Sequence, residues 1–348
     1  SGLNDTILAP LQLQTNLSVT NTTTADLILA GTVEGPFVLS KYGSGRLVLT
    51  GNNEPSGLNL VEGTLALDGT ASITTIPNIT VGPGAILDAS ALSGGWSLGP
   101  AQTLAGHGVI TGAVVAVAGS HLAPGTNVTG STLTFSSQLS LNDGATLDYN
   151  LGSSTNTGGG INDLIAVAGD LTLNGSVAVA FDFGGALPET NGTYTILTYG
   201  GTLTGSAANF VAVNAGTRFN YAFDDAVPGE IRVAVSGAPT TLTWQGGTLG
   251  NLWDIGSATN WLGSSGADAF FQGDAVLFGS SGSTAPPVNL GGALAPASVT
   301  VSNTTAYTIS GPGRLSGGAF ITKLGGGSLT LETSNDYSGI MLVQEGTL

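Results

Sequence analysis

The sequence contains no cysteine, which excludes a disulfide framework and thiolate metal sites. Only 8% of its 348 residues are charged, whereas ordinary soluble domains carry roughly a quarter. Six Lys and Arg residues are too few to cover the solvated faces of many helices. No stretch approaches the roughly 18 apolar residues that a membrane helix needs. These absences predict an all-β chain with no membrane insertion in this segment.

The composition that remains is acidic and rich in glycine. The chain has 56 Gly, 41% hydrophobic residues and a formal net charge of −16. That hydrophobic content is too high for a disordered chain. Nucleic acid is an unexpected partner, because its binding depends on clustered Lys and Arg. The chain opens on Ser without a signal peptide, which fits a mature or excised segment.

Short alternating strands followed by Gly, Asn or Pro recur along the chain, as in residues 46–50 and 132–135. This pattern admits a string of β-sandwiches or barrels, or a β-solenoid. Bends of 3 to 8 residues recurring about every 20 to 25 residues favour the solenoid. We therefore predict a right-handed parallel β-helix of roughly 14 to 16 turns, about 70 Å long.

One stretch is stated twice: residues 35–65 return as residues 318–348, at a spacing of 282 positions. Leu60 and Val61 are aligned with Leu342 and Val343, and one inserted residue then precedes Gly346. The shared residues are Lys41, Gly43, Gly45, Leu47, Leu49, Asn53, Ser56 and Gly57 in the first copy and Lys323, Gly325, Gly327, Leu329, Leu331, Asn335, Ser338 and Gly339 in the second.

The two copies predict a division of the chain into four segments. Residues 1–68 form the second half of a solenoid module, and residues 69–236 form a stalk with longer strands near 176–235. Residues 237–282 form a tryptophan-rich module head. Residues 283–348 are a truncated second copy of residues 1–66. The chain is therefore expected to be a window onto a longer array or a processed subunit.

The shared pattern, K-x-G-x-G-x-L-x-L with Asn and Ser-Gly downstream, resembles the autotransporter-associated β-strand repeat, or passenger-associated transport repeat. The tract from Trp244 to Phe278 resembles the head of longer modules in large bacterial surface proteins. The resemblance implies a β-helical passenger or fibre, located extracellularly or on the bacterial cell surface. It implies no catalytic residues.

Histidines are the first candidates for chemistry, and His107 and His121 are the only two. A site would need a third partner, such as Asp88 or Asp143. Without a metal-binding spacing, solvated turn residues are the favoured interpretation.

Asp224, Asp225 and Glu230 are candidate glycosidase carboxylates, but Asp-Asp ahead of Pro-Gly favours a turn. The glycines around Gly106 and Gly311 lack the helix that a dinucleotide loop requires. We therefore expect no enzyme and no cofactor, with adventitious Ca²⁺ binding at Asp-rich corners left open.

Trp244, Trp253 and Trp261 can be interpreted in two ways. Exposed indoles could stack against sugars, whereas buried indoles would cap the solenoid core at the module junction. Burial is the favoured interpretation.

The leading hypothesis is a structural fibre assembled head-to-tail through its terminal turns, with the chain itself as partner. The alternative is an adhesin passenger or stalk that binds a glycan or another surface protein through the Trp244–Trp261 tract.

Overall fold

The computed structural model describes residues 4–125, 130–157, 160–183, 192–213 and 216–348. The chain forms two compact units. Unit 1 comprises residues 1–214 and 221–235, and unit 2 comprises residues 215–220 and 236–348. Within the described residues the only helix is one 3₁₀ turn, Ala207–Asn209. None of their helices is long and apolar enough to span a membrane.

The described part of unit 1 contains 26 strands, nearly all of them short. In chain order they are β1 Asp5–Ile7, β2 Leu11–Gln12, β3 Leu17–Thr20, β4 Leu27–Leu29, β5 Val33–Tyr42, β6 Arg46–Leu49, β7 Glu54–Leu60, β8 Thr64–Leu67, β9 Asn78–Val81, β10 Ile86–Asp88, β11 Trp96–Leu98, β12 Thr103–Gly106, β13 Val109–Thr111, β14 Val114–Ala116, β15 His121–Pro124, β16 Thr132–Phe135, β17 Leu139–Asn142, β18 Thr146–Asn150, β19 Leu164–Val167, β20 Leu171–Asn174, β21 Val177–Asp182, β22 Gly192–Tyr199, β23 Leu203–Thr204, β24 Phe210–Ala212, β25 Asn220–Asp224 and β26 Glu230–Ser236.

Unit 2, over the residues that the structure describes, contains 13 strands. They are β27 Thr241–Trp244, β28 Leu252–Trp253, β29 Trp261–Gly263, β30 Gly266–Asp268, β31 Ala275–Phe278, β32 Val288–Leu290, β33 Ala293–Leu294, β34 Ser298–Ser302, β35 Tyr307–Ser310, β36 Arg314–Leu315, β37 Phe320–Leu324, β38 Leu329–Leu331 and β39 Met341–Val343.

The strands of unit 1 form three sheets that run along a solenoid. The first sheet has the order β1-β4-β6-β8-β10-β13-β16-β19-β22-β26-β25. The second is β2-β5-β7-β9-β12-β15-β18-β21-β24, with β3 also beside β5. The third is β11-β14-β17-β20-β23. From β10 onward each turn passes through the first, third and second sheets in that order, so strands adjacent in a sheet come from successive turns.

Pairing between turns is parallel, and it stacks like side chains in columns. The clearest inward column lies in the first sheet and is 0–3% exposed. Its successive members are Leu47, Leu65, Leu87, Ile110, Phe135 and Val167. Aliphatic residues at every second position bury one face of each strand, which is the period-two pattern visible in the sequence.

The length of a turn is less regular than the sequence analysis predicted. The step from Leu47 to its register partner Leu65 is shorter than the predicted range, whereas the step from Leu133 to Ile165 is longer. The predicted range is therefore wrong for these turns. One cause of the longer turn is the excursion between β18 and β19. Asp163 lies at the end of this excursion and is fully buried. Its carboxylate accepts hydrogen bonds from the Ser131 and Asn150 amides at 2.9 and 2.8 Å.

The parallel ladder of unit 1 ends in an antiparallel hairpin. Strand β26 pairs antiparallel with β22, and β25 lies outside it. In unit 2 the edge beside β27 is likewise closed by the antiparallel pair β29–β30. Such hairpins turn the chain away from a sheet edge that would otherwise attract another strand.

Unit 2 is a second parallel solenoid. Its three sheets have the orders β30-β29-β27-β31-β34-β37-β39, β28-β32-β35-β38 and β33-β36. Together the two units contain about 15 turns, so the predicted all-β parallel solenoid is confirmed. Its right-handed winding and the four-segment division stay predictions.

Candidate functional site

The repeated stretch forms a lysine clamp, which we define in unit 1 by Lys41, Gly43 and Glu62. Lys41 is fully buried. Its Nζ donates to the carbonyl oxygens of Tyr42 at 2.8 Å, Gly43 at 2.6 Å and Glu62 at 3.2 Å. The Gly43 amide donates back to Glu62 Oε2 at 3.2 Å. An ammonium group has three donors and no acceptor, so one side chain ties two successive turns together.

The second copy builds the same clamp in unit 2. Lys323 is fully buried, and its Nζ donates to the carbonyl oxygens of Leu324, Gly325 and Glu345 at 2.7, 2.6 and 3.3 Å. The Gly325 amide donates to Glu345 Oε2 at 3.2 Å. These distances closely match those of the first clamp, so the two copies are equivalent in structure as well as in sequence.

Glycine is required at the corners of the clamp. Gly43 and Gly325 have φ values of 77° and 73°, in the left-handed region. A Cβ on Gly63 would overlap the backbone carbonyl of Gly43 on the preceding turn. The glycines of the pattern therefore allow close approach of one turn to the next.

The clamp also corrects the sequence alignment by one residue. Lys41 is the register partner of Leu60, whereas Lys323 is the register partner of Val343. Leu60 therefore corresponds to Val343, and the pairing of Leu60 with Leu342 was wrong. The inserted residue is Ile340, which lies before β39 and is 68% exposed. Inserting it outside the strand keeps the inward alternation intact.

Burial in the clamp has an electrostatic cost. Desolvation lowers the pKa of Lys41, and the carboxylate of Glu62 offsets part of that effect. Three oxygen acceptors replace the water that the ammonium loses.

The other repeated residues support the core and the corners. Leu47 and Leu49 are fully buried, as is Leu329 at 1% exposure, and Leu331 is half-buried. Asn53 Oδ1 accepts from the Val33 amide at 3.2 Å, and Asn335 Oδ1 accepts from the Leu315 amide at 2.8 Å. Each asparagine thus links its own turn to the preceding one.

The remaining repeated residues are small. Ser56 and Ser338 are exposed. Gly45, Gly327 and Gly339 are tightly packed, and a Cβ on any of them would overlap the preceding turn. Gly57 has more room, since its nearest neighbour would be a Val38 methyl at 3.3 Å.

All six cations of the chain are engaged internally. The two lysines are the clamp residues. Each arginine bonds to aspartate: Arg46 to Asp26 and Asp88, Arg218 to Asp268 and Asp274, Arg232 to Asp224, and Arg314 to Asp336. With 22 Asp and Glu in the chain, the charge left for an external partner is negative.

The three predicted tryptophans lie in the interior of unit 2. Trp244 and Trp253 are fully buried and Trp261 is 1% exposed. Trp261 contacts Trp244 and Trp253 edge-to-face, with centroids 4.9 and 5.1 Å apart. They share a core with Phe270 and Phe278. The indole faces are covered in this arrangement, so they offer no stacking platform for a sugar.

A buried ion pair lies in the same unit. Asp274 is fully buried and accepts from Arg218 Nε at 2.8 Å and from the Thr240 and Phe271 amides at 2.9 Å each. The carboxylates of Asp274 and Asp268 raise the pKa of Arg218 against the opposing effect of desolvation, which is the largest single influence. The Arg218 guanidinium also lies 4.8 Å from the Phe271 ring centre.

The structure places the histidine candidates differently from the sequence expectation. His121 Nδ1 lies 2.7 Å from Asp148 Oδ2. Asp88 instead bonds to Arg46, and Asp143 accepts from the Ser176 amide. The suggested partners were therefore wrong. Asp148 lies on the turn that follows His121, because β15 pairs with β18. The signal in the sequence was that the two residues are separated by one turn of the solenoid.

The candidate carboxylates of unit 1 have separate hydrogen-bond partners. Asp224 bonds to Arg232 at 2.6 Å, Asp225 accepts from the Ala207 amide at 3.0 Å, and Glu230 accepts from Thr195 at 3.1 Å. In the described residues, no three His, Cys, Asp or Glu side chains are grouped so as to hold a metal ion.

Two inward positions of the repeat differ in exposure between the two copies. Leu60 and Leu65 are 1% and 0% exposed because later strands cover them, but their counterparts Val343 and Leu348 are 44% and 62% exposed. In the first copy β9 pairs with β7 beside Leu60, and β10 pairs with β8 beside Leu65.

Comparison with known proteins identifies the repeated stretch. Residues 39–67 and 321–348 match the passenger-associated-transport-repeat, which confirms the predicted resemblance for these two segments. The chain is similar to the adhesin BmaC autotransporter of Brucella suis biovar 1 (strain 1330), at 37% identity over 140 residues. The match covers 40% of this chain and 4% of the adhesin.

Proposed function

We propose that this chain is a stalk segment of a bacterial surface passenger, acting as a stiff, non-catalytic spacer. The observation that carries the proposal is the lysine clamp, which recurs with the same geometry in both segments that match the passenger repeat. A passenger repeat on parallel turns, together with an autotransporter adhesin as a relative, supports a location outside the cell.

The structure supplies a physical basis for such a spacer. Each inner strand is hydrogen-bonded on both sides, so length is gained one turn at a time without free edges. The Lys and Arg side chains bond to groups of their own unit, so the surface carries an excess of negative charge. Negative charge along the sides of the solenoid favours solubility and disfavours lateral association of neighbouring copies.

The proposal is tested by immunogold labelling of intact cells that express the full-length parent protein. Antibodies against residues 39–67 would also recognise residues 321–348, because the two segments are copies of one repeat. An epitope tag is therefore placed in one copy at a time. Gold at a fixed distance beyond the outer surface supports the spacer. Gold confined to the cell interior, or seen only after permeabilisation, contradicts it.

We further propose that modules of this type stack end to end. The support is the recurrence of the lysine clamp, with matching distances, in two copies of the passenger repeat. A terminal turn of one copy would pair with a terminal turn of the next in a non-closing contact, which produces a filament. The rival arrangement is covalent continuity within a longer chain.

Two valines of nearly equal exposure allow a controlled test of stacking. Val343, at 44%, lies on β39, the last strand in the order of its sheet, and Val61, at 43%, follows β7 in the first copy. Sedimentation of the purified chain should show concentration-dependent polymers that Val343→Lys abolishes and Val61→Lys leaves intact. Absence of polymers, or equal effects of both variants, would sink the stacking proposal. A natural protein whose intact mass extends past Leu348 would favour covalent continuity.

The adhesive alternative also remains a proposal, supported by the relative named as an adhesin. Because the three indoles are buried, contact near Trp244–Trp261 would have to use exposed neighbours such as Leu249 and Leu262, which are 66% and 45% exposed. Unchanged cell adhesion after Leu249→Ser and Leu262→Ser, with folding retained, would argue against this tract.

A further inference from the structure

A groove of about 420 Å³ lies along the second sheet of unit 1, within the size range of small-ligand sites. Its lining residues come from the successive strands β12, β15, β18 and β21 and from Gly125, which follows β15. They are Thr103, Ala105, Ala123, Gly125, Asp148, Tyr149, Asn150, Ala180, Phe181 and Asp182.

Small side chains create the groove. Ala105 is the register partner of Ala123, and Asp148 is the register partner of Ala180. Methyl groups at these outward positions form a shallow apolar floor between longer polar neighbours. Next to Asp148 and Ala180 in the sequence, Tyr149 and Phe181 are buried, and their rings stack with centroids 6.2 Å apart.

Oxygen acceptors dominate the walls. Asp148 and Asp182 are acceptor-only when ionised, and Asn150 and Thr103 each add an oxygen. His121 bonds to Asp148 through Oδ2, which fixes the carboxylate. The second oxygen, Oδ1, accepts no hydrogen bond from any described residue. A ligand that suits these walls must donate.

The distribution of charge in the protein also favours a ligand that donates hydrogen bonds. Every Lys and Arg is engaged in a clamp or an ion pair, so no lysine or arginine of the chain competes with a ligand for Asp148. An apolar floor edged by carboxylates matches methylene groups that end in a charged donor.

We propose that this groove binds a primary alkylammonium group, its methylenes on the alanine floor and its ammonium on Asp148. The same chemistry occurs in a lysine side chain and in a free polyamine. This site is separate from the stalk role and from any stacking of modules.

The test is isothermal titration of the purified chain with pentylamine and, as a neutral match, 1-pentanol. Pentylamine should bind saturably and pentanol should not. Asp148→Asn keeps an acceptor for His121 but removes the charge, and should weaken binding about tenfold or more. Ala123→Leu fills the floor and should abolish binding without altering charge.

Controls separate a site from general attraction to an acidic protein. Glu34→Gln removes an exposed charge elsewhere in unit 1 and should leave binding unchanged. Equal binding by the wild type and by both groove variants would overturn the proposal, as would equal losses in all three variants. Melting curves establish that each variant is folded. Asp148→Asn tests the charge of the groove and Ala123→Leu tests its shape, so either variant can contradict the proposal without the other.

Two further probes distinguish the sources of the group. Tighter binding of Nα-acetyl-lysine methylamide than of spermidine indicates a protein lysine. The reverse order indicates a free polyamine. Failure of all three amines to saturate contradicts the proposal.

Discussion

Replacing the buried lysine of the first clamp tests how successive turns are held together. Lys41→Met keeps most of the side-chain volume but removes three donors. The carbonyl oxygens of Gly43 and Glu62 then lose their partner, whereas that of Tyr42 still accepts from the Asn21 amide at 3.1 Å. At about 1 kcal/mol for each of the two oxygens left unsatisfied, the local cost is about 2 kcal/mol. The cost of burying the ammonium, which disappears in the variant, makes this an upper value.

Hydrogen exchange is the suitable assay because solenoids open turn by turn rather than all at once. A loss of about 2 kcal/mol raises the local opening equilibrium about 30-fold. We expect that acceleration in amides of residues 39–67 and little change in residues 321–348. Lys323→Met is the matched control and should show the reverse distribution. Unchanged exchange around Lys41 in the first variant would refute the clamp as a stabilising device.

Three further outcomes follow from particular contacts. Gly63→Ala forces a left-handed backbone at φ 73° and a carbonyl overlap, so thermal melting should show a loss of at least about 2 kcal/mol. Asp274→Ala leaves the guanidinium of Arg218 without its buried partner and should cost about 3 kcal/mol, whereas a mild effect would show that water replaces the pair. Arg232 lowers the pKa of Asp224 below its ordinary value of 3.8. The ion pair between them stabilises the fold by at most about 1 kcal/mol. This stabilisation is fully present above pH 3.8 and is lost as the pH falls through the lowered pKa of Asp224. Asp224→Asn should remove this acid dependence, and an unchanged pH profile would contradict it.

The architecture was predictable because its information is local and repeated. Alternation of aliphatic and polar residues predicts the inward columns, and Gly between strands predicts the corners. The spacing of turns was less predictable, since residues can be added in a bend without disturbing the strands. Asp163 shows why: a single buried carboxylate can satisfy the backbone amides where a longer excursion rejoins the ladder.

The clamp was visible in the sequence only as a coincidence of lysines. Both lysines of a cation-poor chain fall at the same place in the two copies, each followed two residues later by glycine. Their role depends on carbonyl oxygens one turn away, and backbone groups carry no signature in the sequence. The one-residue shift at Ile340 was missed for a related reason, because aliphatic residues on both sides of the insertion made either alignment plausible.

The groove on the second sheet could not be predicted. Its walls combine residues from turns whose lengths vary, so the side chains that meet there follow no fixed spacing. The burial of the three tryptophans, by contrast, agrees with the interpretation that the sequence favoured.

Cysteine labelling tests the central claim most directly, because the chain has no cysteine of its own. Ser56 is exposed and Ala66 is fully buried in the same module. A membrane-impermeant maleimide should label Ser56→Cys on intact cells and should label Ala66→Cys only after denaturation. Labelling of Ser56→Cys only after cell lysis would contradict the surface location, and labelling of Ala66→Cys in the native protein would contradict the solenoid core.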